Sequence, residues 1–135
     1  MGSIVLKKKI TQPKLTNYVS WFEIPAVNFE QAVGFYNHIY SITMDKIFTN
    51  DYTMAFFPAN GGIGGAVVAG PSSMPSDAGP LIYLNGGNDL NNILGKVVEA
   101  GGRIVMEKTL ISDEAGYFAI FIDTEGNKLA LHSEK

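Results

Sequence analysis

Two stretches of this chain have the same pattern: "YTMAFFPANGGIGGAV" at residues 52–67 and "YFAIFIDTEGNKLALH" at residues 117–132, which align at an offset of 65. Each stretch alternates aromatic or β-branched residues with others, and each is broken by a turn signal near its middle. We therefore predict two strands and a connecting turn in each stretch. An internal repeat of this length predicts a fold built from two equivalent units.

The repeat also includes the N-terminal part of each unit, where Trp21 aligns with Leu81 and Glu23 with Tyr83 at an offset of 60. The opening strands are predicted at "YVSWFEIP" (18–25) and "LIYLN" (81–85). Amphipathic helices are predicted at 28–40 and 89–102, with Asn28 and Asp89 as N-caps. The other predicted strands are 43–48, 52–58, 62–69, 103–109, 116–123 and 127–133.

These elements predict an α+β fold of two βαβββ modules packed side by side around a shared cavity. Module one covers about 17–69 and module two about 81–134. Residues 1–16 form a predicted N-terminal arm, and the connector at 70–80 contains three prolines. Small modules of this kind bury their helical stripes on one face, and the cleft between them is where a small ligand would bind.

Composition narrows the possible partners. The net charge is −3, which gives no general attraction to nucleic acid or to an anionic membrane. No apolar run approaches the roughly 20 residues of a membrane span. The apolar stretch in "SIVLKKKI" is too short for a signal peptide, and its charges are on the wrong side. We interpret Lys7, Lys8 and Lys9 as part of a solvated arm. The absence of cysteine excludes disulfides and thiolate sites, and it fits a cytoplasmic location.

Two motifs add a family resemblance. The paired βαβββ pattern, the opening "EIPAVNFEQAVGFY" and the closing "GYFAIFIDTEGNKLALHS" resemble the glyoxalase / bleomycin-resistance / extradiol-dioxygenase superfamily, the vicinal oxygen chelate proteins. The resemblance covers about 17–134 and is strongest to small, single-domain, lactoylglutathione-lyase-like members. It implies the glyoxalase-like fold and a homodimer. It does not imply one reaction, because this scaffold carries isomerases, dioxygenases, thiol transferases and drug-binding proteins.

The resemblance also implies where a metal would bind, since metalloenzymes of this superfamily place one ligand in each of four strands. The matching positions are Trp21, about Gly65, Leu81 and Ala130. None of these side chains supplies the nitrogen or carboxylate donor that a divalent metal needs. We therefore expect no metal and no other cofactor.

Polar residues follow these positions in the strands. Residues two apart in a strand face the same way, so Glu23 should share a face with Trp21, and His132 with Ala130. A carboxylate and an imidazole can both carry protons, which makes Glu23 and His132 the candidate catalytic acid and base. The predicted ligand-binding residues are Trp21, Leu81, Tyr83, Asn85 and Ala130.

Each of these assignments has a simpler alternative. His132 could be a solvated residue near the chain end, and Glu23 could face outward or pair with a cation. Trp21 could be ordinary core packing. Asp123 and Glu125 belong to the turn "DTEGN", where Asp and Gly serve backbone geometry.

Three functions stay open on the sequence. The first is a metal-independent protein that binds a small organic molecule. The second is a lyase or isomerase acting on a small carbonyl compound, with Glu23 and His132 as acid and base. The third is a metalloenzyme whose ligands are displaced from the expected positions.

Overall fold

A computed structural model describes residues 11–135. The elements are β1 (Trp21–Ala26), α1 (Phe29–Tyr40), β2 (Asp45–Phe48), β3 (Thr53–Phe56), β4 (Gly64–Ala69), β5 (Tyr83–Asn85), α2 (Asn91–Leu94), β6 (Arg103–Ser112), β7 (Gly116–Ile122) and β8 (Lys128–Ser133). Residues 11–20 are exposed and form neither helix nor strand, whereas the predicted basic run at 7–9 lies outside the described residues. Within 11–135, no helix has the length and apolar character needed to cross a membrane.

The strands form two four-stranded sheets of the same topology. Module one has the order β1-β4-β3-β2, and module two has the order β5-β8-β7-β6. In each sheet the first strand pairs parallel with the last, and the other pairs are antiparallel. The predicted α+β architecture of two βαβββ modules side by side is confirmed.

Each sheet has one face toward a hydrophobic core and one open face. In β1, Ile24 is buried while Trp21 and Glu23 are exposed, which is the alternation that the sequence predicts. Ile24 lies opposite Val67 in module one, and Leu84 lies opposite Leu131 in module two. All four belong to one continuous core cluster, so the two modules share a single core.

These pairings correct the alignment of the two modules. Val67 and Leu131 hold the same place in their sheets, and they are 64 positions apart rather than 65. The position equivalent to Ala130 is therefore Ala66, not Gly65. Gly65 faces the core side, because a Cβ added there would collide with the ring of Phe22. Glycines carry no side chain that reports which face they occupy, so a slip of one residue is easy to make in this strand.

Helix α1 connects the two sheets. Asn28 begins it as predicted, since its side-chain oxygen accepts a hydrogen bond from the backbone N–H of Gln31 at 3.1 Å. Phe35 reaches Phe121 of module two, with ring centroids 5.9 Å apart. On the module-one side Tyr36 packs edge-on against the ring of Phe57, with centroids 5.5 Å apart. The helix thus packs in the core between both modules.

The second predicted helix is shorter than expected. Residues 91–94 are helical, and turns continue to residue 101, so the predicted span of 89–102 is wrong in length. Several backbone bonds here join residues three apart, such as Val97 N–H to the carbonyl of Leu94. Gly95 ends the regular helix, consistent with the low helix propensity of glycine. The predicted apolar stripe is nevertheless buried, except for exposed Val98.

The turn between β7 and β8, residues 123–127, ties module two to module one; we call it the junction turn. Glu125 Oε1 accepts hydrogen bonds from the backbone N–H groups of Val27 and Asn28, at 2.6 and 2.7 Å. The side-chain amide of Asn127 donates to the carbonyl of Pro25 at 2.8 Å. The predicted role of this turn in backbone geometry is present, since the Asp123 carboxylate accepts the N–H groups of Glu125 and Asn127. The hold of its side chains on the start of α1 was not predicted.

Asp123 is the buried centre of the junction turn, with 4% of its surface exposed. Its carboxylate accepts hydrogen bonds from the Tyr36 hydroxyl at 2.8 Å and from the Asn127 amide at 3.0 Å. It also accepts the backbone N–H groups of Glu125 and Asn127. A buried carboxylate needs such partners, because burying an unpaired charge is costly. Burial and the nearby Asp123 raise the pKa of Tyr36 well above its usual value, so its hydroxyl stays protonated and donates.

Candidate functional site

A cavity lies in module two, where β5 and β8 end beside each other. Its volume is about 780 Å³, and it is open to solvent on one side. The lining side chains include Tyr83, Asn85, Ile111, His132, Glu134 and Lys135. Because they come from β5, β6, β8 and the two residues after β8, the cavity combines a strand pair with the wall of the neighbouring hairpin.

The strand register brings three of the predicted site residues together. Asn85 lies directly opposite His132, and Tyr83 lies opposite Ala130. Phe118 of β7 is the antiparallel neighbour of His132, and its ring lies 6.4 Å from that of Tyr83. Tyr83, Asn85 and His132 are therefore on the open face of module two, and all three line the cavity.

His132 is joined to the β6–β7 hairpin. Its Nε2 lies 2.5 Å from the backbone oxygen of Ala115. A carbonyl oxygen can only accept, so Nε2 must donate the hydrogen. In the neutral ring Nδ1 then carries no hydrogen and can accept a bond from a ligand. The imidazole thus joins β8 to the β6–β7 hairpin at the cavity, and its neutral form leaves Nδ1 as an acceptor.

Residues 85–87 form the edge of the cavity beside His132, which we call the rim, and this edge depends on close backbone packing. Gly86 donates its N–H to the carbonyl of His132 at 2.6 Å. A Cβ at position 86 would lie 2.6 Å from that same oxygen, so only glycine fits there without a shift of the backbone. The side-chain oxygen of Asn85 accepts the N–H of Gly87 at 2.8 Å, which leaves the amide NH₂ of Asn85 as the group that can donate to a ligand.

Module one supports this rim through Tyr40, at the end of α1. The Tyr40 hydroxyl donates to the carbonyl of Asn85 at 2.8 Å. Burial raises the pKa of Tyr40 well above its usual value, so the hydroxyl remains a donor. Helix α1 therefore contacts the junction turn at one end and the cavity rim at the other.

Trp21 and Glu23 form a separate group on module one. The Trp21 indole N–H donates to Glu23 Oε2 at 3.3 Å, and the indole packs near Phe56 with ring centroids 6.0 Å apart. Neither residue lines the cavity beside His132. Leu81, just before β5, is half-buried, and Ala130 is fully buried beneath its neighbours.

The sequence analysis missed the hairpin wall of the cavity. It ended the strand at residue 109, whereas β6 continues to Ser112 and places Ile111 on the cavity. The apolar run "TLI" at 109–111 is a signal that could have extended the prediction. It also missed the ion pair of Lys108 Nζ with Asp89 Oδ1, 3.0 Å apart. Hydrogen bonds from the Asn91 N–H and from Lys108 lower the pKa of Asp89 below its usual value.

The overall shape matches solved structures, although no protein family model and no curated protein matches the sequence. A glyoxalase/bleomycin resistance protein/dioxygenase family enzyme from Burkholderia phytofirmans PsJN has a TM-score of 0.61 at 12% identity, over 86% of this chain and 98% of that one. Leishmania major glyoxalase I, described as trypanothione-dependent, has a TM-score of 0.63 at 16% identity, over 88% of each chain. A Zea mays glyoxalase I mutant has a TM-score of 0.67 at 13% identity, over 87% of this chain and 45% of that one.

The chain has the glyoxalase-like fold. The predicted resemblance to the glyoxalase / bleomycin-resistance / extradiol-dioxygenase superfamily is thus confirmed at the level of the fold. At this identity the likeness gives the arrangement of strands and helices, and function has to be argued from the residues of the site.

The residues at the expected metal positions of the glyoxalase-like fold do not fit a metal ion. With the corrected register these positions are Trp21, Ala66, Leu81 and Ala130, and no side chain among them carries a donor suited to a divalent cation. Elsewhere in residues 11–135, no three His, Cys, Asp or Glu side chains come together in a group that could hold a metal.

Proposed function

We propose that this protein binds a small organic molecule in the cavity on module two, without the metal used by metalloenzymes of related fold. The observation that carries the proposal is the convergence of Tyr83, Asn85 and His132 on one cavity of about 780 Å³. Ligand pockets for small molecules fall in the range of about 300–1,000 Å³ and combine apolar walls with a few placed polar groups.

The lining indicates the kind of ligand. Ile111 and the ring of Tyr83 supply apolar contact, while the Tyr83 hydroxyl and the Asn85 amide can donate hydrogen bonds. Nδ1 of neutral His132 can accept one. This combination suits a compact molecule with a ring or short chain, one or two carbonyl oxygens to accept hydrogen bonds, and a hydroxyl to donate one.

The acid–base alternative has less support. A lyase or isomerase using both Glu23 and His132 needs the two groups on one substrate, yet Glu23 lies with Trp21 on the other module and does not line this cavity. The displaced-ligand metalloenzyme needs several donors in one place, and among the described residues none converge in that way. Simple binding requires neither arrangement.

The matched experiment uses the two histidines of the chain, His132 and His38. A small-molecule library is screened by thermal shift against the wild-type protein, His132→Ala and His38→Ala. His38 lies on α1 and pairs with Glu99, so its replacement controls for the loss of an imidazole far from the cavity. Cavity ligands should bind His38→Ala as they bind wild type, and His132→Ala about fivefold to tenfold more weakly, as expected for one hydrogen bond. Equal binding to all three proteins would rule out this cavity as the site.

Metal dependence is tested separately. We expect EDTA to leave the melting temperature unchanged. A metal bound only to the folded state would stabilise it by mass action, so a fall in melting temperature that Zn²⁺ or Ni²⁺ reverses would contradict the metal-free proposal.

We also propose a homodimer. The support is β6, a ten-residue strand at the edge of its sheet that exposes Val105 and Leu110 at 50% and 51%. An exposed apolar edge strand can pair with its own copy about a two-fold axis. Light scattering should give about twice the chain mass of 14.6 kDa, and Leu110→Lys should shift the protein toward a single chain. A single-chain mass for the wild type at micromolar concentration would contradict the proposal.

A further inference from the structure

The open face of the module-one sheet, opposite α1, carries a second arrangement of polar groups. On the other face Lys46 pairs with Glu30 of α1 at 2.7 Å, and Phe48 packs against Phe29 of α1. Since side chains alternate along β2, Asp45 points to the open face, away from the helix. We call this surface the module-one open face.

One row of four residues crosses the module-one open face from edge to edge. The strand pairing places Glu23 opposite Ala66, Ala66 opposite Phe56, and Phe56 opposite Asp45. The row therefore begins and ends with a carboxylate and is apolar between them. With strands about 4.8 Å apart, the two ends of the row are about 14 Å from each other.

Trp21 forms a side wall next to this row. Its indole N–H donates to Glu23 Oε2, and its ring lies against Gly64, where an added Cβ would be 3.0 Å from the indole. The ring also meets Phe56 at an interplanar angle of 55°. With 44% of its surface exposed, Trp21 presents an aromatic face beside a carboxylate, a combination that attracts organic cations.

The charge on this face has one sign. The strand residues of the module-one open face include Glu23 and Asp45 but no Lys or Arg. In module two the equivalent row consists of Tyr83, Ala130, Ile120 and Met106, and none of the four is charged. Only module one therefore has a carboxylate at each end of its row, which suits a dication.

We propose that the module-one open face binds a linear diamine or polyamine, with one ammonium group at Glu23 and the other at Asp45. The methylene chain between them lies across Ala66 and Phe56, beside the indole of Trp21. This site is separate from the cavity of module two, so it stands or fails independently of the function proposed above.

The test uses the one tryptophan of the chain, Trp21, as a fluorescence reporter. Diaminodecane has ammonium groups separated, when extended, by a length comparable to the row. Aminodecanol has the same carbon chain with one ammonium replaced by a hydroxyl, and diaminopropane is too short to span the row. At low salt diaminodecane should bind about threefold to fivefold more tightly than either control, the gain expected for one exposed ion pair. The difference should fall as salt screens the charges.

Asp45→Asn separates this geometry from general attraction to a negative protein. It leaves Trp21 and Glu23 untouched, so the reporter is preserved. The variant should bind diaminodecane no better than aminodecanol, while its affinity for aminodecanol stays at the wild-type value. Glu114→Gln, on the exposed β6–β7 turn, removes the same charge elsewhere and should change neither affinity. Tyr83→Phe, in the module-two cavity, should also leave both affinities unchanged.

Three results would overturn the proposal. The first is the absence of a saturable fluorescence change with diaminodecane. The second is equal wild-type affinity for diaminodecane and aminodecanol. The third is a loss of diaminodecane affinity in Glu114→Gln that equals the loss in Asp45→Asn, because binding would then depend on net charge and not on the row.

Discussion

Residues 59–63 and 123–127 occupy the same place in their modules, between the third and fourth strands, but they differ in almost every other respect. The first turn, "ANGGI", is exposed along its whole length. The second, "DTEGN", is buried at Asp123 and Asn127 and half-buried between them, and it bonds to module one through Asp123, Glu125 and Asn127. The repeat explains the shape of each module. The hydrogen bonds of the junction come from side chains that only the second copy has.

The largest expected effect comes from removing the centre of the junction turn. Asp123→Ala deletes a buried carboxylate that accepts four hydrogen bonds and leaves the Tyr36 hydroxyl without a partner. We expect the free energy of unfolding to fall by about 3 kcal/mol. Urea denaturation measures it. Asn60→Ala in the other turn is the control and should cost less than about 0.5 kcal/mol. If Asn60→Ala lowered the free energy of unfolding as much as Asp123→Ala, the two turns would contribute equally to stability and the proposed difference between them would be wrong.

Glu125 should matter less, because it is only half-buried. Its carboxylate binds two backbone N–H groups at the start of α1, where a negative charge also suits the helix dipole. Glu125→Ala should cost about 1–2 kcal/mol, and Glu125→Gln, which keeps an acceptor oxygen but loses the charge, about half of that. Urea denaturation of both variants gives the comparison, with Glu114→Ala on an exposed turn as the control. If the Gln variant lost as much as the Ala variant, the charge rather than the hydrogen bonds would hold the helix.

Much of the fold follows from local pattern. The alternation in β1 and β8 and the stripe of α1 are each visible within one segment, and the structure confirms those elements. The error at Gly65 also has a local cause. Gly64 and Gly65 have no side chains, so hydrophobic alternation gives no register there, and only the strand partners Trp21 and Phe22 show which face each occupies.

The contacts of the junction turn and of the cavity wall could not be predicted from local sequence pattern. Glu125 meets Asn28 across 97 positions of sequence, and Ala115 meets His132 across 17. Turn geometry alone explains an Asp and a Gly in "DTEGN", so nothing local indicates that Asp123 and Glu125 also bind another module. By contrast, Tyr83 and Asn85 are two apart in one strand, and the period of a strand suffices to place them on one face.

The junction also predicts how stability depends on pH. The pKa of Tyr36 is raised in the folded protein, by burial and by Asp123, so the folded state holds its proton more tightly than the unfolded chain. Above about pH 10 the unfolded chain loses this proton first, which favours unfolding. The free energy of unfolding should therefore be insensitive to this group below about pH 9 and should fall as the pH rises above 10.

Urea denaturation at neutral and alkaline pH checks this expectation. Tyr36→Phe should be about 1 kcal/mol less stable than wild type at neutral pH, because it loses the hydrogen bond to Asp123, and it should lose less of its stability on going to alkaline pH. Tyr18→Phe is the control, since Tyr18 is exposed in the segment before β1. An alkaline slope for Tyr36→Phe equal to that of wild type would mean that the junction does not hold this proton.

The smallest expected effect is a coupling between Glu23 and His132. The shared cavity predicted from sequence puts both residues at one site, where Glu23→Gln and His132→Ala should not be additive. The structure puts them on different sheets, bonded to Trp21 and to Ala115 respectively. We therefore expect each single change to cost no more than about 1 kcal/mol of unfolding free energy, and the double variant to equal their sum within about 0.5 kcal/mol.

The reference for this measurement is a pair that does touch. Tyr36→Phe and Asp123→Ala remove the two ends of one buried hydrogen bond, so once either is made the other has less to lose, and their coupling should exceed about 1 kcal/mol. The four proteins of each cycle are compared by urea denaturation under one set of conditions. If Glu23 and His132 coupled as strongly as Tyr36 and Asp123, the two open faces would have to meet. Within one chain, no contact between these two residues supports that. A second copy of the protein would then have to bring the module-one face of one chain to the module-two cavity of the other.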